Sequence, residues 1–208
     1  DGKLVVTVTS LGHLKVREVR SGEIISQSRI GAAGIECIDW SADGRWIAFA
    51  TRHRVILWDY AKSNADPERI TEPGQRGGDS LRFSNDSSLL AVANIFGDTV
   101  ELFNVVEQAK VGEIATAKKS NHRDSLCFSP DDQRLYIPNL HEQCVDVYDV
   151  NTAARVDRFD AGSVSPRVVT ISGDGSLLVA AGDETAFVAW DMASKERISD
   201  RAMGHRSA

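Results

Sequence analysis

Four short stretches decide the fold: Ser41-Ala-Asp-Gly44, Ser84-Asn-Asp-Ser87, Ser129-Pro-Asp-Asp132 and Ser172-Gly-Asp-Gly175. Each sets a serine two residues before an aspartate, side chains that bond nearby backbone and so favour turns. They recur at intervals of 43, 45 and 43 residues, and self-similarity at a fixed period of this size marks a repeat architecture. Counting back 42 residues from Asp43 and Gly44 lands on Asp1 and Gly2, the expected remnant of a fifth copy, so the chain opens inside a turn.

After each turn comes a short apolar run, at 4–9, 46–51, 89–94, 135–139 and 177–181. A second run follows each of these and ends in an aromatic and an acid or amide: Trp58-Asp59, Phe103-Asn104, Tyr148-Asp149 and Trp190-Asp191. The first copy has Arg17-Glu18 there, keeping the acid and losing the aromatic. Alternation within these second runs, as in Val100 and Leu102 against Glu101 or Val145 and Val147 against Asp146, has the period of two that strands show. Glycine and proline clusters such as Glu72-Pro-Gly-Gln-Arg-Gly-Gly78 would break any helix that crossed them. The chain is therefore expected to be all-β, with four short antiparallel strands per copy, here A to D. The second copy, for example, has A at 35–40, B at 46–51, C at 55–60 and D near 69–71. A four-stranded sheet this small leaves both faces wet, so copies must stack side by side around an axis, which is a β-propeller.

The period, the Trp-Asp ends at Trp58-Asp59 and Trp190-Asp191 and the aspartate-bearing A-to-B turns resemble the WD40 repeat family over nearly the whole chain. One copy, Phe128-Ser-Pro-Asp-Asp-Gln-Arg-Leu-Tyr-Ile-Pro-Asn139, is also similar to YVTN-type propeller repeats, with Tyr136-Ile137-Pro138-Asn139 in the second strand. Pro138 lacks an N–H and is expected where a ladder ends or bulges. The Gly-His pair that opens a WD40 repeat occurs at Gly204-His205 and, displaced, at Gly12-His13. The expectation is a single WD40-like domain or fragment over 1–208, with a partial blade at 1–30 and blades at 35–72, 79–117, 124–160 and 166–203. About five blades are present, more readily an arc of a larger ring than a strained closed ring of five.

Composition agrees with a folded protein and narrows its partners. The chain has 208 residues, 42% of them hydrophobic, 26% charged, and a formal net charge of -6. Its apolar runs, such as 89–93 and 177–181, fall far short of the roughly 20 residues of a membrane-spanning helix, and its acidity argues against nucleic acid as a ligand. Three cysteines without short regular spacing argue against a disulfide framework and favour the cytoplasm. The chain begins with Asp1 rather than Met, which makes a periplasmic or secreted protein the alternative.

Strand alternation places the B-to-C and D-to-A links on one side of each sheet and the A-to-B and C-to-D turns on the other. All five histidines fall on the first side: His13, His53 and His141 in B-to-C links, His122 and His205 in D-to-A links. With a local basic cluster, they make the candidate partner-binding set His53, Arg54, Arg76, Phe96, Lys118, Lys119, His122, Arg123 and His141. The same residues also suit ordinary solvated loops. The histidines come from different copies without the close spacing of a metal site, and no metal or cofactor is expected. The repeated aromatics read as packing between sheets, the acids after them as turn caps, and the pair Asp131-Asp132 as part of its turn. Cys37 and Cys127 read as small buried hydrophobes. With no nucleophile elbow, phosphate loop or haem-attachment motif, the expectation is a non-catalytic scaffold or sensor module that presents loops to a protein or peptide partner. The alternative is a propeller enzyme, lactonase-like or redox, whose active site lies partly in other blades.

Overall fold

The computed structural model describes residues 2–9, 12–29, 34–51, 53–60, 62, 68–69, 77–93, 97–116, 126–182 and 186–202. Every regular element among them is a strand, and the strands form five antiparallel sheets, as the period of two requires. The first sheet has three strands, β1 (Leu4–Val8), β2 (His13–Glu18) and β3 (Ile24–Arg29). The second has β4 (Ile35–Trp40), β5 (Trp46–Thr51), β6 (Arg54–Asp59) and β7 (Glu68–Arg69). The third has β8 (Ser80–Phe83), β9 (Leu89–Ala93), β10 (Thr99–Asn104) and β11 (Ala109–Ala115). The fourth has β12 (Cys127–Phe128), β13 (Arg134–Asn139), β14 (Cys144–Asp149) and β15 (Arg155–Asp160). The fifth has β16 (Pro166–Ile171), β17 (Leu177–Gly182), β18 (Ala186–Asp191) and β19 (Arg197–Ala202). Spatial order follows chain order in every sheet, and the chain divides into two compact units, Asp1–Gly78 and Asp79–Ala208.

The strand expectations for the second copy differ from the structure by a residue or two: C begins at Arg54, and D is Glu68–Arg69. Pro138 lies inside β13, opposite Val145, one residue from the strand end. Among the described residues β12 pairs with Leu135 and Tyr136 alone, and Pro138 lies beyond that pairing.

The A-to-B turn is the same device in four sheets. Its serine hydroxyl donates to the aspartate two residues on, at 2.5, 2.7, 2.5 and 2.5 Å for Ser41, Ser84, Ser129 and Ser172. That hydroxyl also accepts the first N–H of the next strand, from Trp46, Leu89, Arg134 and Leu177 at 2.8 to 2.9 Å. The fourth residue of each turn is left-handed: Gly44, Ser87, Asp132 and Gly175 have φ of 74, 64, 58 and 74°. Gly2, with φ of 68°, keeps this conformation in the first copy.

The second repeated feature lies at the far end of strand C. The ladder to D slips between Val16 and Arg17, Leu102 and Phe103, Val147 and Tyr148, and Ala189 and Trp190, always just before the aromatic position. The acid or amide that follows caps the next turn: Asn104 accepts from the N–H groups of Val106 and Glu107, Asp149 from Asn151 and Thr152, and Asp191 from Ala193 and Ser194.

Within each unit the core lies between neighbouring sheets. In the first unit, Leu14 and Val16 of β2 meet Ile47, Phe49, Ile56 and Trp58. In the second, one cluster joins the third and fourth sheets through Val100, Leu102, Leu135, Ile137 and Tyr148. Another joins the fourth and fifth through Tyr136, Val145, Val147, Leu178, Val188 and Trp190. The repeated aromatics are core, as expected: Trp58, Phe103, Tyr148 and Trp190 are 2, 1, 4 and 3% exposed.

Candidate functional site

The described candidates all sit on B-to-C links that a polar residue at the end of strand B holds in shape. Thr9 Oγ1 accepts the N–H of His13 at 3.1 Å, Thr51 Oγ1 that of His53 at 3.3 Å, and Asn139 Oδ1 that of Glu142 at 3.1 Å. These backbone N–H groups are thereby held, while the imidazoles of His13, His53 and His141 are exposed. Arg54 is half-buried and opens β6 directly after His53, so these two share one link, whereas His141 belongs to the other unit. Arg76, Phe96, Lys118, Lys119, His122 and Arg123 lie outside the described residues.

The His141 link rests on a network that the sequence reading missed. Asp146, 2% exposed on β14, accepts from Asn139 Nδ2 at 2.9 Å, from Arg158 Nε at 2.9 Å and from Arg155 Nη1 at 3.3 Å. Arg158 also pairs with Glu142 inside the link. Burial works against the Arg158 charge, but the hydrogen bond and charge of Asp146 outweigh it and raise its pKa above the ordinary arginine value. A chain of contacts thus runs from Asn139 through Asp146 and Arg158 to Glu142. A polar residue in the middle of an otherwise apolar strand C was the available signal, and the alternation of Val145, Asp146 and Val147 reads equally well as an outward-facing acid.

A second missed residue is Asp132. Its carboxylate crosses to the turn of the third sheet, accepting from Asn85 N at 2.8 Å, Asn85 Nδ2 at 2.7 Å and Asp86 N at 2.9 Å. Of the pair expected to cap its own turn, Asp131 does so and Asp132 does not.

Among the described thiols, burial pushes Cys127 up to about 12 and Cys144 up to about 11, which removes them as nucleophiles at neutral pH. Cys37 is half-buried, and no two of the three cysteines are bonded. On the turn side, a cleft of about 520 Å³ is lined by Gly2, Leu4, Trp40, Ser41, Asp43 and Tyr60. Trp40 packs edge-on against Tyr60 with ring centroids 5.2 Å apart. Among the described residues, no group of three or more His, Cys, Asp and Glu side chains gathers as a metal would require, and no helix is long and apolar enough to cross a membrane.

No family model and no curated protein matches the sequence. Among solved structures, the chain is similar to a chain of hydrazine synthase from Kuenenia stuttgartiensis, with a TM-score of 0.70 and 22% identity over 82% of this chain and 49% of that one. It thus spans about half the length of the chain it matches, and at this identity the likeness shows a shared fold alone. The expectation of a chain without catalytic activity is corrected on this point: the same fold occurs in a chain of an enzyme, so the fold gives no ground for excluding activity. The physical reason lies in the inference itself. Active sites on a repeat fold are assembled from separate loops, so the absence of a contiguous catalytic motif carries no weight.

Proposed function

We propose that the five sheets are blades of a WD40-like β-propeller, forming part of a ring, and that the chain is an interaction scaffold or sensor that presents the loops of one face to a protein or peptide. The observation that carries this reading is the difference between the two sides of the second and fourth sheets. The A-to-B turns devote their polar side chains to the Ser–Asp clamp. The B-to-C links instead hold exposed histidines on a pinned backbone. Fixed backbone with free polar side chains suits recognition, since little loop ordering has to accompany binding. The three thiols, none joined in a disulfide, fit a cytoplasmic setting within the same proposal.

Site-specific photocrosslinking in cells of the source organism tests it. A photoreactive residue replacing His53 or His141 is expected to trap one discrete partner, and the same residue replacing Asn85 or Gly173 in the opposite turns is not. Equal trapping from both sides, or from neither, would refute the loop-face reading. A second reading, a propeller enzyme whose active site is completed by further blades, draws support from the likeness to hydrazine synthase. Chelator-sensitive turnover by the parent protein, lost on His53→Ala or His141→Ala, would favour it.

A further inference from the structure

The first strands of the third, fourth and fifth sheets come together inside the second unit: β12 lies against both β8 and β16, and each of the three is the end strand of its own four-stranded sheet. A cleft of about 370 Å³ opens along them, bordered by Arg82 and Phe83 of β8, Cys127 and Phe128 of β12, and Thr170 and Ile171 of β16. Consecutive residues of a strand point to opposite faces. A cleft that takes a consecutive pair from each of three end strands therefore looks onto their edges, not onto a face of any one sheet. Asn85, Pro130 and Gly173, from the turns that follow these strands, complete its wall.

The two repeat positions that border the cleft differ in kind. Directly before the clamp serine stand Trp40, Phe83, Phe128 and Ile171, large and apolar in every full copy. Packing accounts for that position, since Phe83 and Phe128 are 5 and 4% exposed. One residue earlier stand Asp39, Arg82, Cys127 and Thr170, which share no chemistry, and the last three set a cation, a thiol and a hydroxyl against one cleft. Arg82 is exposed, and its Nε–H donates to Leu126 O at 3.4 Å, which carries the side chain from the third sheet across to the residue before β12. Its charge reaches the Cys127 thiol. Among the described residues, Arg82 is the one charged group on the cleft wall, although the chain as a whole has a formal charge of -6.

We propose that this cleft is a small-molecule site, separate from the loop face, that takes an organic monocarboxylate with a flat apolar body, its carboxylate on Arg82 and its body against Phe83, Phe128 and Ile171. The guanidinium fork matches a carboxylate with two parallel N–H donors, and an apolar wall with a few placed polar groups is the usual make-up of a ligand site. Volume sets the size of the guest. At about 30 Å³ per water, 370 Å³ equals about twelve waters, which suits a molecule of about a dozen non-hydrogen atoms and is too little for a folded partner. The turns set its charge. Asp131 and Asp174, next in sequence to Pro130 and Gly173, are kept ionised by their serine clamps, so a polyanion meets repulsion there that a single carboxylate paired with Arg82 largely escapes.

The test uses the 208-residue chain with indole-3-acetate, indole-3-acetamide and tryptamine, which share a ring and differ in charge, read by saturation-transfer NMR and calorimetry. Indole-3-acetate is expected to bind saturably with Kd at or below about 1 mM, and the amide and amine at least about fivefold more weakly. Arg82→Gln is expected to bring indole-3-acetate to the level of the amide, Arg82→Lys to weaken it by less, and Thr170→Trp, which fills the cleft, to abolish binding. Melting temperatures are expected to stay close to that of the parent, because both positions are exposed. His53→Ala with His141→Ala is expected to leave binding unchanged, which separates this cleft from the loop face. The proposal is overturned by an absence of saturable binding up to about 5 mM, by equal affinity for the amide or the amine, or by affinity indifferent to both Arg82→Gln and Thr170→Trp. Tighter binding of pyrophosphate, lost in the same variants, overturns it in favour of a polyanion.

Discussion

Replacing Asp132 by alanine isolates the contact between two neighbouring turns of the second unit. The substitution removes a carboxylate that accepts two backbone N–H groups and one amide N–H at 2.7 to 2.9 Å. Hydrogen bonds to a charged acceptor contribute about 1.5–3 kcal/mol when buried. Asn85 and Asp86 are exposed, however, and water replaces much of what is lost, so the expected cost of Asp132→Ala is about 1–2 kcal/mol, or roughly 3–8 °C in Tm. Asp132→Gly separates staple from strain, because Asp132 has φ of 58° at a position where three other copies carry glycine. Glycine relieves about 1–2 kcal/mol of left-handed strain while adding about 0.4–1 kcal/mol of unfolded-state freedom. Asp132→Gly is therefore expected to be about 0.5–1 kcal/mol more stable than Asp132→Ala. Urea denaturation of the three proteins, with amide exchange at Asn85 and Asp86 as the local reading, measures both differences. A stability of Asp132→Ala equal to the parent's, or of Asp132→Gly below that of Asp132→Ala, would falsify the reasoning.

Trp190→Ala empties a site that is 3% exposed between the fourth and fifth sheets and is expected to cost about 3–5 kcal/mol by chemical denaturation; a loss below about 1 kcal/mol would remove the repeated aromatics from the core. The Ser172 hydroxyl and the Ser176 N–H hold Asp174 down to about 2, and the Ser129 hydroxyl and Gln133 N–H lower Asp131. A carboxylate depressed in the folded state stabilises above its unfolded pKa of about 4 and loses that contribution as pH falls through the folded value. Melting temperature is thus expected to drop between about pH 4 and about pH 2, with a smaller drop in Asp174→Asn; parallel acid limbs would refute the clamp's electrostatic part. Thiol titration with a maleimide at neutral pH is expected to label Cys37 before Cys127 and Cys144, and rapid labelling of Cys127 in the folded protein would contradict its burial.

The repeat was legible because its signals are local. A serine, an aspartate two residues later and an apolar run fix a turn and the strand after it, and those turns form as read, down to the left-handed Gly2 of the first copy. The aromatic and acid at the end of strand C were readable for the same reason. Asp132 and Asp146 were not, because their partners come from elsewhere: Asp132 bonds a turn 46 to 47 residues away, and Asp146 gathers side chains from β13 and β15. Nothing in Asp131-Asp132 says which carboxylate looks inward and which crosses. For the candidate loops, sequence located the exposed histidines but not the Thr9, Thr51 and Asn139 groups that pin their backbones, since a threonine or asparagine at a strand end has many uses.

The serine clamp acts as a ruler. From its hydroxyl to the first N–H of the next strand is always five residues, with that N–H donating to the hydroxyl at the start of the span, so one inserted residue would break the contact. The distance from that serine to the end of strand C nevertheless varies, 17 residues from Ser41 to Trp58 and 19 from Ser84 to Phe103. Length drift is thereby confined to the opposite ends of the strands. Added residues at those ends are expected to leave the alignment of the strands unchanged, and a peptide grafted between Thr51 and Arg54 is the direct way to see it.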